Sequence, residues 1–237
     1  MGIDQKIALI TGASSGIGAA IAQRLCEAGY YSILVARSEK KLKHISGMLM
    51  KDGLNCSYIS ADISNERSVE SLFEKASQIG EVSIIVNNAG VGIFSNIAES
   101  KIADWDTQIN VNLRGAFLIC RRFIPPMQSK KSGIIVFINS VAGHFGYPYS
   151  AAYVASKFGL RGLADSLRNE LRNDKIKVIS VHPGSIDTNF WDLVNVDFPR
   201  SEMLSPYAVA DSVVHAINAP GSAVIENFTI RRVEGDF

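Results

Sequence analysis

Short runs of apolar residues recur along the whole chain, and stretches long enough to form helices separate them. Most of the runs are continuous Ile, Val, Leu and Ala with little polar alternation. A strand has this pattern when helices cover both of its faces, as they do in a parallel sheet. The seven predicted strands are residues 6–10, 31–36, 55–60, 83–86, 133–139, 177–182 and 223–230.

The stretches between these strands predict six helices. Two helix starts are marked, because Ser64 is an N-cap candidate and Pro206 stands where a first-turn proline is tolerated. Alternating strands and helices predict an α/β fold, a Rossmann-like doubly wound parallel sheet with helices on both faces. Since no repeat, low-complexity tract or linker interrupts residues 1–237, we expect a single domain. The predicted helices are residues 16–28, 39–51, 66–78, 104–123, 153–172 and 206–217.

Composition and charge exclude several functions. The formal net charge of +1 argues against a broad nucleic-acid-binding surface. Cys26, Cys56 and Cys120 form no CxxC pair and no metal-ligand spacing with the four histidines, so we expect reduced cysteines and no metal site. No apolar run approaches the roughly 20 residues that span a bilayer. After Met1 there is also no basic segment with an apolar stretch behind it, which is the pattern of a secretion signal. We therefore expect a soluble cytoplasmic protein without a nucleic-acid or membrane partner.

A glycine-rich turn joins the first strand to the first helix. Its spacing is GxxxGxG, and glycine lets the backbone adopt positive φ and approach a ligand closely. A helix N-terminus behind such a turn offers free N–H groups and partial positive charge to a phosphate. Glycines near a turn are also ordinary turn chemistry, but this position favours a dinucleotide. The candidate cofactor-binding residues here are Gly12, Ser14, Ser15, Gly16, Ile17 and Gly18.

Arg37 and Ser38 follow the second strand, where a dinucleotide fold meets the adenosine ribose. No carboxylate ends the strand to bind a free 2′-hydroxyl, and Glu39 is expected in the first turn of the next helix. Arg37 suits a 2′-phosphate, although it could instead be an ordinary solvated charge. The strand end therefore predicts NADP(H) as the preferred cofactor, with NAD(H) as the alternative.

Polar residues also follow the third and fourth strands. Asp62 and Ile63 follow the third, and Asp62 is equally a turn residue that starts a helix. Asn87, Asn88, Ala89 and Gly90 follow the fourth, and the two amides and the glycine can brace the loop and leave backbone groups for the cofactor. We include Asp62, Ile63, Asn88, Ala89 and Gly90 among the cofactor-binding candidates.

Ser140, Tyr153 and Lys157 form the candidate catalytic set. Ser140 stands at the end of the fifth strand, and Lys157 follows Tyr153 by four residues on one helical face. Reduction of a carbonyl needs an acid for the developing alkoxide, and a nearby ammonium is expected to lower the pKa of the tyrosine. Ser140 can hold and polarise the carbonyl oxygen. A YxxxK spacing alone is common on helices. It indicates a catalytic pair here because a serine stands at a strand end and a glycine-rich turn lies upstream.

With these residues in place, the chain resembles the classical short-chain dehydrogenases/reductases. The matching motifs run from residue 11 to residue 188 in the order of the family. They are Thr11–Gly18, Asp62, Asn87–Gly90, Asn112, Ser140, Tyr153, Lys157, Pro183, Gly184 and Thr188.

The resemblance implies roles for several residues. It implies that Asn112 joins the catalytic set by holding a water behind Lys157, which also holds the nicotinamide ribose, and that Asp62 contacts the adenine. It also implies that Ile186 and Thr188 close over the nicotinamide side, that Pro183 and Gly184 are further cofactor-binding residues, and that the long helices pair two subunits into a homodimer or homotetramer. The turn has no basic residue before Gly16, so the NADP(H) prediction depends mostly on Arg37.

The substrate pocket is expected between residues 141–150 and the substrate loop 189–205. Its candidates are His144, Tyr147, Phe190 and Trp191. Aromatic walls suit an apolar or ring-bearing carbonyl or alcohol, although these side chains could only pack the loops, and His144 could be a surface residue.

Three hypotheses for the function of the protein remain. The first is an NADP(H)-dependent oxidoreductase that interconverts a carbonyl and an alcohol with Tyr153 as general acid/base. The second is a 3-oxoacyl-(acyl-carrier-protein) reductase, which the C-terminal segment disfavours because it lacks the Asp-Gly-Gly turn of that branch. The third is a non-catalytic NADP(H)-binding redox sensor, disfavoured because the serine, tyrosine and lysine are all present.

Overall fold

The computed structural model describes residues 5–193 and 199–235, with the side chain of Leu193 left aside. Seven parallel strands form one sheet in the order β3-β2-β1-β4-β5-β6-β7, as the sequence predicts. The order reverses between β1 and β4, which opens a crevice at the carboxyl ends of these strands. The strands are β1 Ile7–Thr11, β2 Tyr31–Ala36, β3 Cys56–Ser60, β4 Val82–Asn87, β5 Gly133–Ile138, β6 Ile176–Pro183 and β7 Asn227–Ile230.

Helices cover both faces of the sheet. One core layer packs α1, α2 and α7 against the strands, and the other packs α3, α5 and α6. All five residues of β1 are buried, and so are the central residues of the neighbouring strands. Burial on both faces explains why these strands are continuous apolar runs in the sequence. The α-helices are α1 Gly16–Glu27, α2 Glu39–Lys51, α3 Glu66–Ile79, α4 Ile102–Ile109, α5 Gly115–Lys130, α6 Ala151–Glu170 and α7 Pro206–Ile217.

The region predicted as one helix over residues 104–123 is different in the structure. The helical path runs from α4 to the end of α5, and a π-turn at Asn110–Arg114 divides it. The helix also continues through Pro125 and Pro126, which lack the N–H groups that helical hydrogen bonds need. Buried Ile124 and Met127 keep this last turn packed on the core, and that burial offsets the lost bonds.

Two smaller expectations were also wrong. The N-cap of α3 is Asn65, whose side chain accepts a hydrogen bond from the Ser68 N–H, whereas Ser64 bonds to Asp62 instead. The last strand covers only Asn227–Ile230, because the β6 register begins at Ser180 opposite Asn227. Pro206 begins α7 as predicted. Within the described residues, no helix is long and apolar enough to cross a membrane.

Candidate active site

A cleft of about 1170 Å³ lies along the carboxyl edge of the sheet. It extends from the end of β2, past the β1–α1 turn, to the loops after β5 and β6. Most of the predicted site residues line it. They are Gly12, Ser14, Ser15, Gly16, Ile17, Arg37, Ser38, Asp62, Ile63, Asn88, Ala89, Gly90, Ser140, Tyr147, Tyr153, Lys157, Pro183, Gly184, Ile186, Thr188, Phe190 and Trp191.

The β1–α1 turn needs its glycines for two reasons. Gly12 and Gly16 have φ of 67° and 54°, a region that side chains disfavour. Gly18 was predicted to bind the cofactor, but it does not line the cleft. It allows α1 to approach the turn, since a Cβ there would overlap the Asn88 side chain and lie 2.5 Å from the Gly12 carbonyl oxygen. Ser15 makes no side-chain capping bond to α1, so the first N–H groups of this helix can serve an anion in the cleft.

Asn88 braces the turn from the end of β4. Its amide donates hydrogen bonds to the carbonyl oxygens of Thr11 at 2.9 Å and Gly12 at 3.3 Å. The backbone N–H groups of Asn88 and Ala89 donate to the Thr11 hydroxyl, which donates to the Val86 carbonyl oxygen. The two strand ends therefore form one rigid floor, as the sequence predicted for the Asn-Asn-Ala-Gly turn.

Two cationic side chains mark the far end of the cleft. Arg37 is exposed, Ser38 caps α2 by accepting from the Lys41 N–H, and Glu39 lies in the first helical turn as expected. Lys41 also lines the cleft, and sequence reasoning missed it. Its spacing was the available signal, because a residue three positions into a helix that begins at the cleft can turn back toward it.

Asp62 has the turn role that the sequence left open. Its carboxylate accepts hydrogen bonds from the Ser64 N–H at 2.9 Å and the Ser64 hydroxyl at 2.7 Å. It lines the cleft together with Ile63. Asp62 therefore shapes the loop before α3 and also lines the cleft.

Ser140, Tyr153 and Lys157 converge at the inner end of the cleft. Lys157 is 4% exposed, its ammonium donates to the Ile138 carbonyl oxygen at 3.0 Å, and it lies 5.7 Å from the centre of the Tyr153 ring. Burial raises the pKa of Tyr153 to about 12, partly offset by the Ser140 side chain, and lowers the pKa of Lys157 to about 8. The expected lowering of the Tyr153 pKa by Lys157 is wrong for this structure, because burial raises this pKa and the opposing effect comes from the Ser140 hydrogen bond.

Asn112 lies behind this group, inside the π-turn, and does not line the cleft. Its side chain accepts from the Val91 N–H at 2.8 Å and donates to the Val91 carbonyl oxygen and the Ser156 hydroxyl, each at 2.9 Å. A Cβ on Gly90 would lie 3.4 Å from the Asn112 oxygen and 3.8 Å from the Lys157 nitrogen. Asn112 thus fixes the loop beside Lys157. A π-turn often marks a functional position in a helix.

The residues after β6 close the near side of the cleft. Pro183, Gly184, Ile186 and Thr188 line it, and the Thr188 methyl would lie 3.0 Å from a Cβ on Gly16. The Gly184 N–H donates to the Ile230 carbonyl oxygen, which ties this segment to β7. The predicted segment therefore faces the glycine turn across the cleft.

Aromatic side chains surround Tyr153, but His144 is not among them. Tyr147, Phe190 and Trp191 line the cleft as predicted. His144 lies outside it, because the short 3-10 turn Val141–Gly143 carries the chain away and the His144 ring packs 4.1 Å from that of His182. Part of the predicted substrate loop, residues 194–198, lies outside the described residues.

Phe94 completes the aromatic group and was missed by sequence reasoning. Its ring centre is 5.7 Å from that of Tyr153 and 6.0 Å from that of Phe190. It lies between β4 and α4, in a stretch without strand or helix periodicity, so no local pattern indicates its position. The three cysteines are buried and free, and residues 5–193 and 199–235 contain no cluster of three potential metal ligands.

Comparison with known proteins agrees with this architecture. The sequence model of the short chain dehydrogenase family matches residues 6–197. An uncharacterized oxidoreductase of Staphylococcus epidermidis is 32% identical over 232 residues, which cover 98% of this chain and 99% of that protein. The chain belongs to the short-chain dehydrogenase family.

Solved structures give the same result. An alcohol dehydrogenase from the archaeon Thermococcus sibiricus, complexed with 5-hydroxy-NADP, has a TM-score of 0.89 and 31% identity, covering 96% of this chain and 97% of that one. A metagenomic short-chain oxidoreductase in complex with NADP has a TM-score of 0.85 and 33% identity, with the same coverage. The protein is therefore an oxidoreductase of this family, acting on the alcohol and carbonyl pair.

Proposed function

We propose that the protein is an NADP(H)-dependent carbonyl reductase in which Tyr153 is the general acid/base. The observation that carries the proposal is the meeting of Tyr153, Ser140 and Lys157 at one end of a cleft whose other end holds the glycine turn and two cations. When bound, NADPH supplies the hydride for the carbonyl carbon.

The residues of the cleft fit this cofactor. The turn at Gly12 and Gly16 leaves space beside the N-terminus of α1 for a pyrophosphate. Arg37 and Lys41 offer charge to a 2′-phosphate, and neither β2 nor the start of α2 places a carboxylate on the cleft lining. NADP(H) is therefore the preferred cofactor and NAD(H) the weaker alternative.

The acid–base step follows from the charges around Tyr153. A raised pKa keeps the phenol protonated near neutral pH, so Tyr153 can give its proton to the carbonyl oxygen as the hydride arrives at carbon. The Ser140 hydroxyl holds that oxygen, and the Lys157 ammonium stabilises the phenolate that remains. Asn112 positions the loop next to Lys157, and we propose that it also holds a water molecule behind Lys157 for proton transfer. The reverse reaction, alcohol oxidation, needs the phenolate and is favoured as the pH rises.

The alternatives predict different outcomes with the same protein. A 3-oxoacyl-(acyl-carrier-protein) reductase would turn over oxoacyl thioesters in preference to simple ketones and aldehydes. A non-catalytic sensor does not require Ser140, Tyr153 and Lys157 to converge. A cytoplasmic location, a single domain and a homodimer or homotetramer stay predictions.

Turnover tests the proposal directly. Purified protein is given NADPH and a panel of ketones, aldehydes and oxoacyl thioesters, and NADPH oxidation is followed by absorbance. We expect oxidation that depends on the carbonyl compound and is lost in Tyr153→Phe. Tight NADPH binding without turnover on any carbonyl would support the sensor instead.

A further inference from the structure

Four aromatic side chains form a continuous wall at the catalytic end of the cleft: Phe94, Tyr153, Phe190 and Trp191, the aromatic wall. The Tyr153 and Phe190 ring centres are 5.6 Å apart, and those of Phe190 and Trp191 are 5.5 Å apart. The rings meet at tilted or edge-on angles of 52° to 83°. Such geometry leaves ring faces and edges available to another planar group.

The aromatic wall is held in position before any substrate enters. The Trp191 indole N–H donates to the Ile186 carbonyl oxygen at 2.9 Å. Gly92 gives Phe94 and Phe190 room to meet, because a Cβ there would overlap the Phe190 ring and lie 2.9 Å from the Phe94 Cζ. These constraints reduce the ordering cost when a substrate binds.

A second link fixes the rim of the cleft above the aromatic wall. The Ser95 N–H donates to the Tyr149 carbonyl oxygen at 2.9 Å, which joins the Phe94 loop to the loop after β5. Tyr149 has a φ of 61°, a conformation that a tyrosine adopts only when its surroundings impose it. Tyr147 and Tyr149 both line the cleft here, so its entrance is aromatic as well.

Apart from Lys157, the charged side chains of the described cleft lining lie at the other end of the cleft. Among the described lining residues the charged side chains are Arg37, Lys41, Asp62 and Lys157. The first three belong to the ends of β2 and β3 and the start of α2, and the Lys157 ammonium already donates to the Ile138 carbonyl oxygen. Within the described lining, the buried Lys157 ammonium is thus the one cation near the aromatic wall, and the proposed reaction already uses it to stabilise the Tyr153 phenolate.

Arg200, in the loop between β6 and α7, adds no free cation to this balance, because its guanidinium pairs with Asp187 at 2.6 Å and with Asp192 at 2.9 Å. An anionic substrate would face desolvation without a compensating cation.

We infer that this site takes a neutral, ring-bearing carbonyl compound, such as an aryl ketone or aromatic aldehyde, and rejects carboxylated and phosphorylated ones. This inference rests on the proposed function. The ring lies against Phe94 and Phe190, which directs its carbonyl toward Tyr153 and Ser140. A straight-chain ketone buries less area against the wall, and an anionic analogue leaves its charge unpaired.

The test compares three ketones that differ in one property each. Acetophenone is the aryl ketone, its para-carboxylate adds a charge, and methyl hexyl ketone has the same number of carbons without a ring. With NADPH we expect kcat/KM for acetophenone to exceed that of methyl hexyl ketone about tenfold and that of the carboxylate about a hundredfold or more. An equal or better rate with the carboxylate, the straight-chain ketone or an oxoacyl thioester overturns the inference and leaves the carbonyl reductase in place.

Variants and a binding measurement separate the two proposals. Phe94→Ala and Phe190→Ala should each lower the preference for the aryl ketone several-fold, mainly through KM, whereas Phe145→Ala, which changes an exposed ring outside the cleft lining, should not. Calorimetry measures acetophenone binding to the protein loaded with NADP⁺, which has no hydride to transfer, and NADPH oxidation measures turnover in a separate assay. Binding without turnover supports the ring site but overturns the reductase; turnover with the preference unchanged in both wall variants overturns the ring site alone.

Discussion

The Lys157 ammonium lies 5.7 Å from the centre of the Tyr153 ring and donates its hydrogen bond to the Ile138 carbonyl oxygen at the end of β5. The lysine is thus fixed by the sheet and not by the tyrosine. Its ammonium is buried, so water screens its charge little, and a phenolate formed at Tyr153 during the reaction would lie within reach of that charge. Acid–base chemistry at Tyr153 consequently depends on the strand end as much as on the helix that carries both residues.

Removing the Tyr153 hydroxyl should abolish proton transfer and little else. We expect Tyr153→Phe to lose at least about a hundredfold in kcat, the lower end for a positioned acid. The thermal midpoint and NADPH affinity should stay close to wild type. Tyr207→Phe makes the same change on α7, where the hydroxyl donates to Gln23 far from the cleft lining, and should keep full kcat. A folded Tyr153→Phe with near-normal kcat would show that another group supplies the proton.

Cofactor preference should follow the cations at the end of β2. A charge-assisted hydrogen bond contributes on the order of 1.5–3 kcal/mol, so kcat/KM should favour NADPH over NADH by roughly ten- to a hundredfold or more. Ala36→Asp combined with Arg37→Ile should shrink or invert this ratio, because a carboxylate repels the 2′-phosphate and accepts from the ribose hydroxyls.

Lys41 allows a matched comparison on the same helix. Lys41→Ala should reduce the NADPH preference several-fold, whereas Lys43→Ala, an exposed lysine outside the cleft lining, should not. The measurement is kcat/KM with both cofactors on one substrate. Equal kcat/KM values for NADPH and NADH in the wild type would mean that Arg37 and Lys41 point into solvent and do not contact the cofactor.

Two glycines inside helices should respond oppositely to alanine. A Cβ on Gly18 would overlap the Asn88 amide, whereas one on Gly47 in α2 meets nothing within 4 Å. Gly47→Ala should therefore stabilise the protein by about 0.5–1 kcal/mol through helix propensity. Gly18→Ala should lower the free energy of unfolding and weaken NADPH binding, because α1 must move away from the turn. Denaturant unfolding of both variants decides this, and a stabilised Gly18→Ala with unchanged NADPH binding would contradict the packing role.

Acid should destabilise the protein partly through His182. This side chain is 1% exposed beside His144, and its Nδ1 lies 3.2 Å from the Ser140 carbonyl oxygen. Burial lowers the pKa of His182 from 6.5 to about 4. Between these two pH values the unfolded chain binds a proton at this histidine and the folded protein does not. His182 therefore imposes no such penalty above about pH 6.5, and the free energy of unfolding falls as the pH drops from 6.5 toward 4.

A His182→Asn variant isolates this contribution. Its free energy of unfolding should fall less than that of the wild type between pH 7 and 4.5, since one buried titrating group is gone. Chemical unfolding at a series of pH values gives both curves. Parallel curves would show that His182 does not titrate with folding.

Assembly should depend on rings exposed on α5 and α6. Phe117 and Phe158 are 46% and 44% exposed, which is unusual for large apolar side chains on the outer faces of long helices. We expect at least a dimer, and Phe117→Glu with Phe158→Glu should convert it to a monomer. Met48→Glu changes an exposed apolar residue on α2 and should leave the mass unchanged. Light scattering at micromolar concentration gives the mass, and a monomeric wild type would refute the prediction.

The sequence alone determined the sheet and the positions of most site residues. Buried parallel strands must be continuous apolar runs, and residues just after them must lie at the ligand edge, so Arg37, Asn88 and Ser140 could be placed from local pattern. Most helix and strand bounds agree to within a few residues because helix starts and strand ends depend on neighbours in the chain.

Only the tertiary structure decided how side chains meet across the cleft. It brought Phe94 and Phe190 against Tyr153, placed Lys41 on the lining of the same cleft as Arg37, and packed His144 on His182 outside the site. It also divided the predicted helix at Asn112 and carried it through Pro125 and Pro126. Contacts and desolvation among residues distant in the chain control these features, including the raised pKa of Tyr153, and no local pattern encodes them.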